Sequence, residues 1–328
     1  FTLPWPQAEA RLAEAEAACR AEKRVSRVLR SSYAETRGEV VVANSRGLLA
    51  RERGSSASVS VTAAAEEGAD THVGEAFRSE RRGASLDWAG AGREAATRAV
   101  ALLGAGRAPG GRRPVVFSPR VGAEFLELVA ELLNAEEVQA GRSLLAGRLG
   151  QKAASAAVTL RDEPRRPGGP ASCAVDDEGL PTVDKTMLEA GVLRDYFHDC
   201  STAGREGRTS NASAWRGSYE DAPSPGPSNL VLVPGALAPE ALFAGAGGLL
   251  VLDVLGMHMT DPVSGEFSVG VSGLRFEKGA AGRPFKGAMV SGNLLDLLGR
   301  VDAVASDLEF SGAFGCPSFR VSSLDVAA

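Results

Sequence analysis

The side chains that could hold a catalytic metal are few in this sequence. It contains three histidines and four cysteines, whereas a zinc site needs three or four His, Cys or carboxylate ligands, two of them usually close in sequence. His198 and Cys200 are two residues apart, and in a strand that spacing places both on one face. A hairpin end is the simpler interpretation of the same residues. The alternative ligands that the sequence offers are His198, Cys200, His258 (which lies between two methionines) and Cys316.

Other catalytic motifs are incomplete. Gly270–Gly273 is one residue short of a G-x-S-x-G elbow, and no GxxxxGK[ST] loop occurs. Gly104-Ala105-Gly106 follows a predicted helix instead of opening one, which is the wrong context for a nucleotide-binding loop. A Ser-His-Asp triad stays open, because its members meet only in space. The residues alone therefore name no active site.

Composition excludes several classes of function. The 328 residues carry 36 basic and 41 acidic side chains, a net charge of −5, whereas nucleic-acid binding needs a basic excess. No stretch approaches the roughly 20 apolar residues of a membrane-spanning helix. Phe1–Pro6 has none of the features of a secretory signal. The scattered cysteines contain no CxxC pair, so we expect a reducing cytoplasm, with neither nucleic acid nor membrane as a partner.

The first third of the chain predicts helices around a small sheet. Apolar residues recur at helical spacing from Pro6 as far as Leu29, and Asp87–Leu103 predicts a second helix with Asp87 as its N-cap. Between them, the apolar run at residues 39–43, the turn at Asn44–Gly47 and the alternating residues 56–61 predict a hairpin. Arg107–Pro114 is predicted to be an exposed loop.

The remainder predicts one strand and helix followed by a β-rich region. Val115–Phe117 predicts a buried strand, and the apolar spacing of Val121–Leu133 predicts a helix. The charged, Pro/Gly-rich stretch Arg161–Gly169 is the expected internal boundary. A hairpin around residues 189–191 follows it. The later elements are predicted at residues 229–233 and 249–255, from Asn293 as a helix, and at residues 319–326.

The fold class is therefore predicted to be α+β, with a helix-rich N-terminal part containing a small sheet and a β-rich C-terminal domain. We divide the chain into an N-terminal α/β region at residues 1–112, a strand-helix connecting region at 113–165 and the β-rich domain at 166–328.

Several ordered blocks resemble one family. Val175–Thr182 followed by Leu188–Tyr196 resembles the "DxEGxPT…L…GxL" hairpin of the TldD/PmbA family, once called modulators of DNA gyrase and now regarded as microcin-processing peptidases. No single block is specific, but their order is. The other blocks, in the family's order, are Val42–Gly47, Pro114–Pro119, Ser228–Gly235, Thr260–Ser268, Gly273–Gly279, Ser291–Leu298 and Cys316–Val321. Members also have a further N-terminal segment before the stretch resembled here.

The resemblance implies a branch within that family. TldD-like subunits carry a zinc-binding HExxxH helix and a C-terminal cysteine ligand, whereas PmbA-like (TldE) subunits lack the histidine pair. In the helix after Val115–Phe117, Ala123 and Leu128 occupy the positions of the two histidines, and Glu124 stands at the general-base position. Cys316 lies near the place of the third ligand. The sequence resembles the PmbA/TldE branch, so we expect no metal and no catalytic residue in this chain.

That branch implies a non-catalytic subunit of a heterodimeric zinc metalloprotease. A TldD-like HExxxH partner would supply the zinc, and exposed sheet edges could accept an extended peptide by strand addition. Two other interpretations stay open. One is an independent hydrolase with an unrecognised site among His198, Cys200, His258 and Cys316. The other is a metal-free scaffold that binds peptides.

Overall fold

A computed structural model describes residues 3–45 and 47–328. Over these residues the α-helices are α1 (Trp5–Arg20), α2 (Trp88–Ala101), α3 (Pro119–Leu132), α4 (Ala135–Gln139), α5 (Cys200–Arg205) and α6 (Leu294–Gly299). The first strands are β1 (Val25–Ala43), β2 (Leu49–Glu67), β3 (Asp70–Glu80), β4 (Gly111–Phe117), β5 (Leu160–Asp162), β6 (Lys185–Glu189) and β7 (Val192–Leu193). The later strands are β8 (Ala214–Trp215), β9 (Ser224–Pro225), β10 (Leu230–Leu232), β11 (Gly248–Leu255), β12 (Glu266–Glu277), β13 (Ala280–Asn293), β14 (Val301–Val304), β15 (Glu309–Ser311), β16 (Phe314–Cys316) and β17 (Phe319–Ala327).

Contacts between residues divide the chain into two compact units. Unit 1 contains the chain up to Val40, Arg53–Gly106 and Pro284–Lys286, and unit 2 contains Val41–Glu52, Arg107–Arg283 and Gly287–Ala328. The predicted order of a helix-rich part with a small sheet and then a β-rich part is confirmed. The three-part division at residues 112 and 165 stays a prediction. Among the described residues, no helix is both long and apolar enough to cross a membrane.

Unit 1 packs two helices against one face of a three-stranded sheet. The strand order is β1-β2-β3, and alternate residues of β2 from Ala57 to Ala65 are buried. Their partners on α1 and α2 are mostly small, including Ala15, Ala91 and Ala95. Gly92 shows how close the helices lie, because a Cβ there would stand 1.9 Å from the carbonyl oxygen of Ala15. Small side chains allow the two backbones to approach.

Two sequence predictions for unit 1 need correction. The helical spacing that was extended to Leu29 is wrong beyond Arg20, where α1 ends, because Val25, Val28 and Leu29 lie in β1. The strand β3 was not predicted, since its buried side consists of small residues such as Gly74 and Ala76. The hairpin and the second helix are confirmed, and Asp87 caps α2 by accepting a hydrogen bond from the Gly90 amide. Within the predicted turn at Asn44–Gly47, Arg46 lies outside the described residues.

Unit 2 contains two six-stranded sheets. One has the order β15-β16-β10-β5-β6-β7, and the other has the order β13-β12-β11-β4-β17-β14. In the second sheet, β17 pairs with β14 through its first residues and with β13 through its last, so that the sheet closes on itself. The short β8 and β9 form a separate pair. This closure leaves β14 as a side branch of the ring.

The predicted elements of unit 2 are largely confirmed. The hairpin β6–β7 turns at Ala190 and Gly191, both at positive φ, and Asn293 caps α6 through the Leu295 amide. Two interpretations change. The stretch Arg107–Pro114 is not entirely loop, because β4 begins at Gly111. The stretch Arg161–Gly169, where an internal boundary was expected, begins within β5, and β5 lies between β10 and β6 inside the sheet.

Candidate functional site

The helix α3 begins directly after the buried strand β4. Pro119 at the first helical position fixes a helical φ without losing an intrahelical hydrogen bond. One face of α3 is buried by aromatic packing, since Phe125 lies 4.9 Å from Phe117 and 5.5 Å from Phe267, ring centre to ring centre. Strand β4 and the apolar stripe of α3 therefore fix where the residues at positions 123, 124 and 128 lie.

Those three positions differ in environment. Ala123 is buried, with 2% of its surface exposed, whereas Glu124 and Leu128 are each partly exposed. Burial raises the pKa of Glu124, Arg120 lowers it in part, and the charges of Glu127 and Asp253 raise it further. Arg120 itself is bound to Asp253 on β11, with 3.1 Å between the guanidinium nitrogen and the carboxylate oxygen.

Cys316 meets α3 one residue before Ala123. It is fully buried at the end of β16, and its thiol donates a hydrogen bond to the Pro317 carbonyl over 3.3 Å. A Cβ on Gly122 would stand 2.5 Å from the Cys316 sulfur, so the absence of a side chain at Gly122 makes room for the thiol. Burial, with a smaller contribution from Asp307, raises the pKa of Cys316 well above its usual value. A thiolate, the form that binds zinc, is therefore disfavoured here.

The buried side of α3 offers little space for a ligand. The cavity between α3 and α6 measures about 20 Å³, room for about one water-sized sphere. Its lining is apolar and includes Gly122, Leu126 and Leu297. Such a space is a packing gap and does not form a binding pocket.

His198 and Cys200 are not on one face of a strand, as the spacing had suggested. The chain turns into α5 at this point, and Asp199 caps that helix by accepting from the Thr202 amide. His198 is fully buried, while Cys200 is exposed and its amide donates to the Glu178 carboxylate over 2.8 Å. Burial, with help from Glu178, raises the pKa of Cys200 to about 12. The helix cap therefore directs the two side chains into different surroundings.

The remaining histidine candidate stands apart from these groups. His258 is exposed in a single 3-10 turn, Met257–Met259, at the end of β11. Within residues 3–45 and 47–328 no three His, Cys, Asp or Glu side chains form a group that could hold a metal ion. Tested against zinc, the α3 face presents Glu124 beside Ala123 and Leu128, neither of which has a ligand atom. The residues present do not fit the metal.

Sequence reasoning missed two features of this site. The pairing of Arg120 with Asp253 and the contact of Gly122 with Cys316 join residues that are 133 and 194 positions apart. Both lie next to positions that the sequence did indicate. The glycine inside a strongly amphipathic helix was the available signal, because such a residue often marks a close approach.

Comparisons with known proteins match both parts of the chain. Residues 4–103 match the PmbA/TldA metallopeptidase central domain, and residues 110–328 match the PmbA/TldA metallopeptidase C-terminal domain. Metalloprotease PmbA of Escherichia coli O157:H7 is 24% identical over 316 residues, which are 95% of this chain and 67% of that protein. A metalloprotease of Methanothermobacter thermautotrophicus is 31% identical over 225 residues, 68% of this chain. The matches to it and to the two relatives from Methanocaldococcus jannaschii span about half the length of those proteins.

Solved structures agree with this match. A Thermotoga maritima protein described as a candidate modulator of a DNA gyrase is 30% identical, with a TM-score of 0.93 over 99% of this chain and 75% of its own. TldE from Thermococcus kodakarensis, at 22% identity, has a TM-score of 0.91 over 98% of this chain and 74% of its own, a likeness of fold alone.

Proposed function

Because the chain belongs to the PmbA/TldD metallopeptidase family, we propose that it is a PmbA/TldE-like subunit of a heterodimeric zinc metalloprotease that is not itself catalytic. In this proposal a TldD-like HExxxH partner supplies the zinc, and the two chains together enclose unfolded or extended peptides for processing or degradation. Processing of microcin-type peptides is one form of that activity.

The observation that carries the proposal is the composition of α3. Metal-assisted peptide hydrolysis needs ligands that hold a metal beside the general base, so that the base can act on a bound water. Here Ala123 and Leu128 stand where metal ligands would be needed beside Glu124, and the charges that act on Glu124 are those of Arg120, Glu127 and Asp253. The Cys316 thiol is occupied by packing against Gly122. These side chains support a structural role for the helix.

Sheet edges support a role in holding a peptide. In unit 1, β1 and β3 are the two edges of the three-stranded sheet, and β3 is 11 residues long. An edge strand presents backbone donors and acceptors that can pair with an added extended chain irrespective of its side chains. Such pairing suits a protease that acts on unfolded substrates.

We also place the protein in the cytoplasm. Support comes from its thiols, because Cys19, Cys173, Cys200 and Cys316 are all unpaired. Unpaired cysteines are typical of a reducing compartment.

Reconstitution tests the proposal. The full chain, a TldD-like partner from the same cell, and the two together are incubated with an unfolded fluorogenic peptide. We expect no cleavage by this chain alone, and cleavage by the mixture that is lost when the partner's HExxxH histidines are replaced. The variant Glu124→Gln in this chain serves as the matched control and leaves the rate of the mixture unchanged.

The other outcomes assign the other functions. Cleavage by the chain alone after metal removal would contradict the proposal and indicate an independent hydrolase. Binding of the peptide without cleavage in the mixture, or failure of the two chains to copurify, would also contradict it and would indicate a scaffold.

A further inference from the structure

His198 is a buried side chain beside the exposed charged residues Glu206 and Arg208, in a cluster that the proposed function does not use. The imidazole follows β7 and precedes α5, and none of its side chain is exposed. Its Nδ1 atom is buried without a hydrogen-bond partner. The ring of Tyr196 stands edge-on at 6.4 Å, centre to centre. Burying an imidazole with one unsatisfied nitrogen costs free energy, so the hydrogen bond at the other nitrogen must offset part of that cost.

That remaining contact fixes the protonation state of the ring. The Nη1 atom of Arg208 lies 3.3 Å from Nε2 of His198. A guanidinium only donates hydrogen bonds, so Nε2 must accept and the imidazole must be neutral, with its proton on Nδ1. Oε2 of Glu206 lies 3.7 Å from the same Nε2 atom. One nitrogen thus has a cationic donor and an anionic acceptor beside it.

The same cluster holds the segment that follows. Arg208 also binds Asp195 over 2.8 Å, and Asn211 bonds to Asp195, to the Tyr196 carbonyl and to the His198 amide. Gln139 on α4 donates to Glu206 and to the Thr202 carbonyl. The residues from Asp199 to Asn211, which we name the α5 segment, are therefore fastened at one end by contacts around His198.

We propose that His198 is an acid-sensitive latch for the α5 segment. Protonation turns Nε2 into a donor, which removes the hydrogen bond from Arg208 and sets two cations against each other. Glu206 becomes the acceptor for the imidazolium, while Arg208 keeps only Asp195. The α5 segment then loosens at residues 207–211, which Arg208 no longer fastens to His198.

The charges around the ring agree with this direction. Burial lowers the pKa of His198 and Arg208 lowers it further, whereas Glu206, Asp195 and Asp199 oppose that shift. The neutral ring is thus favoured in the folded protein. Its contribution to stability is complete above the ordinary value of 6.5 and declines as the pH falls towards the lowered folded pKa. The α5 segment is therefore held at neutral pH and released in acid.

The test follows amide exchange and imidazole protonation in the full chain. Hydrogen exchange of residues 199–211, corrected for the intrinsic effect of pH, is measured between pH 7.5 and 4.5, with α2 as the internal reference. We expect acceleration of about tenfold, which converts to a loss of about 1.4 kcal/mol in the local free energy of opening. With three histidines in the chain, imidazole nitrogen NMR can assign each ring and should show His198 as the Nδ1-protonated tautomer at pH 7.5.

Variants make the test decisive. His198→Gln keeps an acceptor for Arg208 but cannot be protonated, so the acid acceleration should disappear. His258→Gln, at an exposed ring, should retain it. Arg208→Met should increase the exchange of residues 207–211 already at pH 7.5, and it tests the proposal if His198→Gln does not fold. The proposal is overturned by acceleration that survives in His198→Gln, by unchanged exchange in Arg208→Met, or by wild-type exchange that does not respond to acid.

Discussion

The helices α2 and α3 have the same length, 14 residues each, and in each of them a glycine lies close to another element of the fold, but the atoms that this glycine faces differ. In α2, Gly92 faces the backbone of α1 at Ala15. In α3, Gly122 faces a side chain, the Cys316 thiol. The contact in α2 sets the distance between two helices. The contact in α3 places a thiol against a helix that contains no histidine.

The carboxylates of the two helices differ in the same way. On α2, Glu94 binds Arg78 over 2.5 Å and also pairs with Arg98. On α3, Glu124 is partly buried and its pKa is raised because burial disfavours its charge. Glu94 stabilises the fold through its two arginine partners, whereas partial burial disfavours the charged form of Glu124. The carboxylate of α2 thus takes part in ion pairs that support packing, whereas the carboxylate of α3 at position 124 is partly buried and has a raised pKa.

The largest expected effect comes from Gly92→Ala. The new Cβ would lie 1.9 Å from a backbone oxygen, so α1 and α2 must move apart. We expect a loss of about 3 kcal/mol in the free energy of unfolding, at the upper end of overpacking effects. Gly204→Ala is the matched control, because nothing lies within 4 Å of that helical position, and it should be neutral or slightly stabilising. Denaturant titration measures both, and equal effects would contradict the close contact.

The second effect concerns Gly122→Ala. Its Cβ would stand 2.5 Å from the Cys316 sulfur and 2.9 Å from the Phe319 ring, both of them side-chain atoms that can shift. We expect a loss of about 2 kcal/mol. Adding Cys316→Ala should recover part of that loss, with a coupling energy of about 1 kcal/mol in a double-mutant cycle. Strictly additive losses would show that the thiol does not fill this space.

Glu94→Gln and Glu124→Gln should give the smallest effects, with opposite signs. Glu94→Gln should cost about 1 kcal/mol at pH 7, because two arginines lose a charged partner. Glu124→Gln should stabilise by about 0.5 kcal/mol at pH 7, an effect reduced by the partial exposure of the side chain. The raised folded pKa of Glu124 means that this gain disappears below about pH 4.5, where the carboxyl is protonated in both states. Thermal unfolding at both pH values measures this, and a gain that persists in acid would contradict the stated cause.

Local signals predicted much of the fold. Asp87 and Asn293 identified helix starts because a side-chain oxygen at the N-cap has a defined partner. The helix predicted as far as Leu29 was wrong beyond Arg20, because apolar spacing alone gives no signal for the turn that follows Arg20. The strand β3 was missed because Phe77 and Val73 are exposed on its open face while its buried residues are small.

The site was less accessible from the sequence than the fold. The positions of Ala123, Glu124 and Leu128 came from the family resemblance and not from their own residue types. The interpretation of His198 and Cys200 as one face of a strand failed because a helix cap at Asp199 separates them. The contact between Gly122 and Cys316 depends on how β16 packs against α3, which no local pattern encodes.

The zinc content of the purified full chain tests the central claim most directly. The chain is dialysed at neutral pH without chelator and measured by elemental analysis, with a TldD-like HExxxH subunit treated in parallel as the positive control. We predict less than about 0.1 zinc per chain here, since a zinc site needs three or four ligands, α3 offers only the Glu124 carboxylate at the three aligned positions, and burial raises the pKa of the Cys316 thiol. About one zinc per chain, retained through dialysis, would contradict the account.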